Sequence, residues 1–272
     1  IRPRRKISVH WHSFLDERPG YSPCINIAYQ RIAYLLLPLF AKFIITTSPR
    51  LRDELKICFP KVSIDVLPCS LDLDYEHRLL RMKDRISPES CLHVLFIGRL
   101  DSYKRVDWLI EALKTISRPW RLSVIGDGPK RTQLESFASS SLGHGQDIRF
   151  YGKVTEAEKC KFLSESHVLV LPSDRCNEAF GIVQLEAMAS GIPALAFDYL
   201  RSGMSWVSDL DALPWSHQPE DLPHIVTKLL DDGIYKQACK ESRSRYMMLF
   251  SYQAWHDKLR RLTITRAAES SR

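Results

Sequence analysis

Two acids, Glu178 and Glu186, are separated by seven residues in the stretch SDRCNEAFGIVQLEAMASG (173–191). An apolar run, HVLVLP (167–172), leads into this stretch, and Ser190-Gly191-Ile192-Pro193 leads out of it. The pattern predicts a buried strand, a loop carrying Glu178, and a helix that starts near Gly181. With a rise of about 1.5 Å per residue, Glu186 would then stand roughly 7–8 Å up that helix. Between the two carboxylates would lie the unpaired N–H groups and the positive end of the helix, a place for anionic ligand atoms. Taken alone, two carboxylates at this spacing suggest a general acid and base, as in a hydrolase.

Three further constellations have chemistry to offer. Arg99 and Lys104 follow the apolar run HVLFIG (93–98) and precede a helical pattern, so they fall at the carboxyl end of a strand, where open α/β sheets bind ligands. Basic residues that merely solvate a helix entry would read the same way. His10 and His12 alternate at a strand end and would face one side. No third residue at a matching spacing completes a metal site there. Asp72-Leu-Asp74 and Asp209-Leu-Asp211 have the short D-x-D form used to hold a cation, but neither follows a buried strand, and the metal reading is rejected. Gly126-Asp-Gly128-Pro129 reads as a tight turn. Arg131 stands where a dinucleotide fingerprint needs its third glycine.

E-A-F-G-I-V-x-L-E-A-M-A-x-G-x-P (178–193) resembles, over sixteen positions, the E-x7-E signature of retaining glycosyltransferases of the GT-B fold, family 4. G-R-L-x-x-x-K-R-x-D-x-L-I-E-A-L (98–113) is similar to the donor-diphosphate motif of the same family, and V-H-W-H-S (9–13) to its N-terminal histidine segment. The resemblance implies two Rossmann-like, doubly wound parallel-sheet domains that face each other across a cleft. It implies transfer of a hexose-type sugar from a nucleotide-diphosphate-sugar to an acceptor hydroxyl, with retention of configuration and with no metal or other cofactor.

By the same resemblance Arg99 and Lys104 would grip the leaving diphosphate, aided by the helix mouth at Gly181. Glu178 would contact the donor sugar and Glu186 the ribose hydroxyls. Gly98, Phe180, Ile182 and Val183 would line the nucleotide-sugar, and His10 would border the sugar from the opposite domain. The two glutamates become a donor clamp rather than a proton-transfer pair. The acceptor would be a glycan or a lipid-linked glycan in cell-surface polysaccharide or glycolipid assembly, at the cytoplasmic side of a membrane. Arg201 to Ser208 resembles the small-residue loop that lines the donor pocket in polysaccharide-building relatives. One departure is local: the family's P-N-G-V-D appears as P-C-S-L-D (68–72). Rival readings are a nucleotide-sugar epimerase of the same fold, a non-catalytic nucleotide-sugar-binding module and, weakest, a dehydrogenase.

The elements that must position these residues alternate along the chain. Strands are expected at 6–10, 43–46 and 62–67, with helices at 25–41 and 49–58. From 68 to 91 the apolar periodicity weakens, which marks a connection. Strands follow at 92–97, 121–125, 147–151, 167–171 and 193–197, with helices at 105–117, 129–140, 156–165 and 181–190. Helices at 219–230, 233–249 and 251–266 close the chain, with a frayed tail from 267. The expected division is a partial acceptor-side domain (1–74), a linker (75–91), a nucleotide-sugar domain (92–250), and a C-terminal helix and tail (251–272) that packs back on the first domain. Family members carry several more βα units and a glycine-rich loop ahead of the first strand. The acceptor half is therefore expected to be incomplete.

Composition sets outer bounds. At 272 residues the chain is long enough for two domains, and its 44% hydrophobic and 26% charged residues are ordinary for a globular protein. The apolar run 32–47 is broken by Pro38 and Lys42 and is too short to span a membrane as a helix. Seven scattered cysteines without C-x-x-C fit a reducing compartment. A net charge of +7 favours anionic partners without choosing among them. The basic residues at 2–6 and 243–261 read either as solvated faces or as an approach to a membrane surface. Nucleic acid is not expected, because the chain lacks a helix-turn-helix pattern and aromatic interleaving.

Overall fold

The computed structural model describes residues 7–15, 23–83, 87–88, 90–140, 142–215 and 218–270. The basic start (Arg2, Arg4, Arg5, Lys6), part of the loop before Cys24, part of the expected linker and the last two residues lie outside the described residues.

Two parallel sheets organise the chain. The first has three strands in the order β1 (Ile7–Trp11), β2 (Ala41–Thr46) and β3 (Ser63–Val66). Their crossovers are α1 (Pro23–Phe40) and α2 (Pro49–Cys58). Ser48 caps α2 by accepting from the Leu51 amide, and Pro49 opens it where a missing N–H costs nothing. The sheet's core is Ile44, Ile64, Leu51, Leu55 and Phe59.

The connection carries an element the sequence reading left out, α3 (Leu73–Leu80), capped by Asp72. Buried Glu76 on this helix accepts hydrogen bonds from the Tyr246 hydroxyl (2.6 Å) and the Tyr252 amide (2.7 Å). This ties the connection to the end of the chain.

The second sheet has five strands: β4 (Leu92–Ile97), β5 (Trp120–Ile125), β6 (Gln146–Gly152), β7 (Val168–Leu171) and β8 (Ala194–Ala196). Their order is β6-β5-β4-β7-β8, with every neighbouring pair parallel. Its crossover helices are α4 (Val106–Lys114), α5 (Arg131–Ser139), α6 (Glu156–Glu165) and α7 (Val183–Ser190). A short α8 (Met204–Val207) follows, then α9 (Leu222–Lys228), α10 (Asp232–Leu249) and α11 (Tyr252–Ser270). Thr155 and Glu158 form a capping box that fixes the start of α6 at its expected residue. The stretch expected to fray from 267 stays helical to Ser270, and Arg266 just before it pairs with Asp65 on β3.

The two sheets are not separate bodies on a tether. Cys176 and Ala179, from the loop after β7, are buried in the same apolar cluster as Phe14, Leu51 and Leu55. Arg50 at the start of α2 pairs with Asp198 beyond β8, and Arg201 lies over the Phe14 ring. At Gly203 a Cβ would stand 2.5 Å from the Ser48 Oγ and 2.7 Å from the Ala179 carbonyl. Only glycine fits that seam between the halves.

Candidate active site

The loop between β7 and α7 carries the first glutamate, and its backbone is held from behind. Ser202 donates its hydroxyl to the Glu178 carbonyl at 2.6 Å, and the Gly203 amide donates to the Ala179 carbonyl at 2.8 Å. The Arg201–Ser208 stretch therefore braces the glutamate loop. The helix begins later than the sequence predicts. Gly181 has φ +68 and lies before the cap residue Ile182, so α7 starts at Val183. A Cβ at Gly181 would fall 2.5 Å from the Leu171 side chain, so the left-handed turn needs glycine for space as well as for conformation.

Glu178 meets Lys104 directly. Lys104 ends a single 3₁₀ turn after β4 (Ser102–Lys104) and is buried, with its Nζ bonded to Glu178 Oε2. A Cβ at Gly98 would stand in ordinary contact with the Lys104 Cε and Nζ, at 3.6 Å, and more tightly against the Phe96 ring, at 3.3 Å. The Asp174 amide donates to the Tyr103 carbonyl at 2.9 Å, which locks the two loops together beside the pair. Arg99 is apart from this pair: its side chain is 68% exposed and reaches Asp101 at 3.4 Å.

Glu186 lies on the inner face of α7 and is paired with a residue the sequence reading did not single out. Lys159 on α6 donates to Glu186 Oε1 at 2.6 Å. Burial pushes the Glu186 carboxyl above its ordinary range, and Lys159 pulls it part of the way back. No local pattern marks Lys159, because the partners stand 27 residues apart and meet only when α6 packs beside α7.

The remaining expected residues divide. Phe180 is buried against Phe250, so its ring belongs to the core. Val183 is half-buried between the two large apolar clusters. Ile182, by contrast, is 47% exposed and lines a cavity of about 400 Å³ between the sheets. His10, His12, Thr47, Tyr252 and Trp255 line the same cavity. It brings His10 and the start of α7 to one space from opposite halves of the fold. The His10 and His12 rings stand edge to face at 4.8 Å, on one side as the alternation predicts. Partial desolvation, then the charge of His12, holds His10 below the ordinary imidazole value.

Among the described residues, no group of three or more His, Cys, Asp or Glu side chains is placed to hold a metal ion. Asp72 of the first D-x-D spends a carboxylate oxygen on the cap of α3, accepting from the Asp74 and Tyr75 amides. No helix of the described residues is long and apolar enough to cross a membrane.

Two facing parallel sheets with a cleft between them, and basic and acidic side chains meeting at the strand ends of the second, define a GT-B glycosyltransferase fold. The chain belongs to the family of glycosyl transferases group 1, whose model matches residues 82–245. It is 33% identical to the phosphatidyl-myo-inositol mannosyltransferase of Mycobacterium leprae over 137 residues, which cover 49% of this chain and 32% of that protein. It is 28% identical to the alpha-D-kanosaminyltransferase of Streptomyces kanamyceticus over 180 residues, 63% of this chain and 45% of that protein. The chain thus spans less than half the length of these curated relatives. Among solved structures, the sucrose-phosphate synthase of Thermosynechococcus elongatus matches with a TM-score of 0.75 at 20% identity. That match covers 97% of this chain and 68% of the other. Anabaena HepE in complex with UDP and glucose matches with a TM-score of 0.70 at 16% identity, covering 97% and 72%.

Proposed function

We propose that this chain carries the donor site of a retaining, metal-independent glycosyltransferase of family 4, which moves a hexose-type sugar from a nucleotide-diphosphate-sugar to an acceptor hydroxyl. The observation that carries the reading is the meeting of Lys104 with Glu178 at the mouth of α7, one helical turn from a buried Glu186.

The bond from the anomeric carbon to the diphosphate oxygen breaks, and the departing diphosphate gathers negative charge. Lys104, Arg99 and the N–H groups at Gly181 and Ile182 stabilise that charge without a cation. The acceptor oxygen bonds to the anomeric carbon on the face the diphosphate leaves, and its proton passes to the departing phosphate oxygen. No protein base is then needed, and configuration is retained. Glu178, beside Lys104, contacts the donor sugar and favours its positive character as the bond lengthens. Glu186 accepts from the ribose hydroxyls, and His10 borders the sugar across the cleft. Gly98 lies beside Lys104 at the strand end, while Phe180 and Val183 shape the site by packing and Ile182 by exposure.

The acceptor is a glycan or a lipid-linked glycan, and the reaction belongs to cell-surface polysaccharide or glycolipid assembly at the cytoplasmic face of a membrane. The likeness to the M. leprae phosphatidyl-myo-inositol mannosyltransferase supports a lipid-linked acceptor. The HepE complex with UDP and glucose supports the donor class.

The test is a transfer assay. Isotope-labelled nucleotide-sugars are supplied with short glycan and prenyl-diphosphate-glycan acceptors, with and without EDTA, and the product anomer is read by NMR. Transfer with the donor's own anomeric configuration, insensitive to EDTA, is the expected result. Epimerised donor in the absence of acceptor, or an inverted product, would overturn the reading.

A further inference from the structure

The contact between α6 and α7 holds more than an ion pair. Glu186 Oε1 receives Lys159 at 2.6 Å, and the two side chains are 7% and 22% exposed. Glu186 Oε2 is fully enclosed and has no hydrogen-bond partner among the described residues. An enclosed carboxylate oxygen without a donor is costly, and a ligand hydroxyl that donates to it recovers that cost. A third element closes on the lysine: the Tyr75 ring on α3 lies 5.1 Å from the Lys159 ammonium. One carboxylate oxygen is thus fixed by a cation that is itself seated on an aromatic face, and the other is left to accept.

The remaining charged and titratable groups that face this carboxyl come from the same elements. Glu156, one turn before Lys159, opposes the charge and is drawn outward by Arg78 of α3. The Tyr75 hydroxyl also faces this carboxyl, with Cys160 beside it. Burial disfavours the Glu186 carboxylate most strongly, and Lys159 is the group that counters it.

We propose that Lys159 is a positioning residue of the nucleotide subsite: seated on Tyr75, it holds the Glu186 carboxylate charged and aimed so that the free oxygen accepts the ribose hydroxyls. The inference rests on the proposed reading of Glu186 as the ribose contact. Lys159 itself touches no reacting atom. Its effect is to keep an acceptor where burial alone would favour a neutral carboxyl, which brings its own proton and competes with the hydroxyls as a donor.

The experiment is calorimetric titration of the 272-residue protein with UDP, GDP and ADP from acidic to alkaline pH. The tightest of the three is carried forward beside its 2′-deoxy counterpart, against K159M, K159R and E186Q. At neutral pH, K159M should lose about tenfold in affinity. The pH at which its affinity is half lost should move upward, with partial recovery at alkaline pH where the carboxyl ionises unaided. K159R should restore affinity, and the 2′-deoxy ligand should lose less from K159M than its ribose parent. If K159M does not fold, K159Q reads the same midpoint, because it keeps a donor without the charge. A lysine variant with the wild-type affinity and midpoint, alongside an E186Q that binds weakly, overturns the role of Lys159 and leaves the ribose contact standing. An E186Q that binds like wild type, or no binding of any of the three nucleotides, overturns the donor reading on which this inference rests.

Discussion

Two lysine–glutamate pairs begin from glutamates with seven residues between them, yet they are built differently. Lys104–Glu178 joins two loops at strand ends, with Glu178 20% exposed and the lysine beneath it. Lys159–Glu186 joins two helices, with the glutamate 7% exposed and the lysine nearer solvent. In the first pair the cation is the buried partner, and in the second the anion is. On the proposed reading, a diphosphate arriving at the first must compete with Glu178 for Lys104. A ribose arriving at the second adds to a carboxylate whose second oxygen is already waiting. The proposed function then has the loop pair exchange partners during the reaction, with the helix pair fixed beforehand.

The largest expected effect tests the exchange. Lys104→Met removes the buried cation, leaves Glu178 facing the diphosphate as a like charge, and should weaken binding of UDP, or of GDP or ADP where wild type binds that more tightly, by roughly two orders of magnitude. Titration of UDP against the variant checks this, and a loss as small as an exposed lysine gives would break the contrast. Glu178→Gln should act in the opposite direction on the same ligand. With its competitor neutralised, Lys104 should bind UDP about threefold to tenfold more tightly. Sugar transfer should meanwhile fall by roughly two orders of magnitude, because the charge beside the anomeric carbon is gone. If Glu178→Gln weakens UDP and transfer alike, the two pairs are alike and the exchange is wrong.

What the sequence makes legible follows the same division between local and distant contacts. The places of Lys104 and Glu178 at strand ends are readable, each from the pattern of its own loop, but their pairing is not, because they stand 74 residues apart. The start of α6 is readable because Thr155 and Glu158 satisfy each other three residues apart. The helix α3 is not, because its charges mask it: the partners of Glu76 are Tyr246 and Tyr252, 170 and 176 residues away. Lys159 escapes for the same reason, since its meaning depends on how α6 lies against α7. The start of α7 is misread by two residues because Gly181 fits either a helix entry or a left-handed turn. The Leu171 side chain, pressed against it from the preceding strand, shows why the turn tolerates only glycine. Phe180 is readable as part of the motif but not as part of the core, because the Phe250 that covers it arrives 70 residues later.

A smaller effect tests the helix pair by pH. Burial raises the Glu186 carboxyl above its unfolded value, so between those two values the folded chain keeps a proton that the unfolded chain has lost. Stability contributed by this residue is therefore fullest at acidic pH and declines as pH rises through that interval, by at most about 1.4 kcal/mol per pH unit for one proton. Glu186→Gln removes the proton exchange and with it that decline. Urea unfolding midpoints measured from acidic to neutral pH should show wild type losing ground to the variant as pH rises. A constant difference would mean that Lys159 fully offsets burial.

The smallest expected effect concerns the cation that belongs to neither pair. Arg99 shares a motif with Lys104 but is mostly exposed, and its Asp101 contact is a solvent-screened one. Arg99→Ala should change folding stability by less than about 0.5 kcal/mol in urea unfolding. It should weaken UDP by about threefold to tenfold, the loss expected for a phosphate contact made through solvent. Burial, rather than charge or position in the motif, is what separates the two cations, since both follow β4 within seven residues of its last strand residue, Ile97. Should Arg99→Ala cost as much UDP affinity as Lys104→Met, the diphosphate would be held by net charge at the strand end. The buried exchange between Lys104 and Glu178 would then have no special part in it.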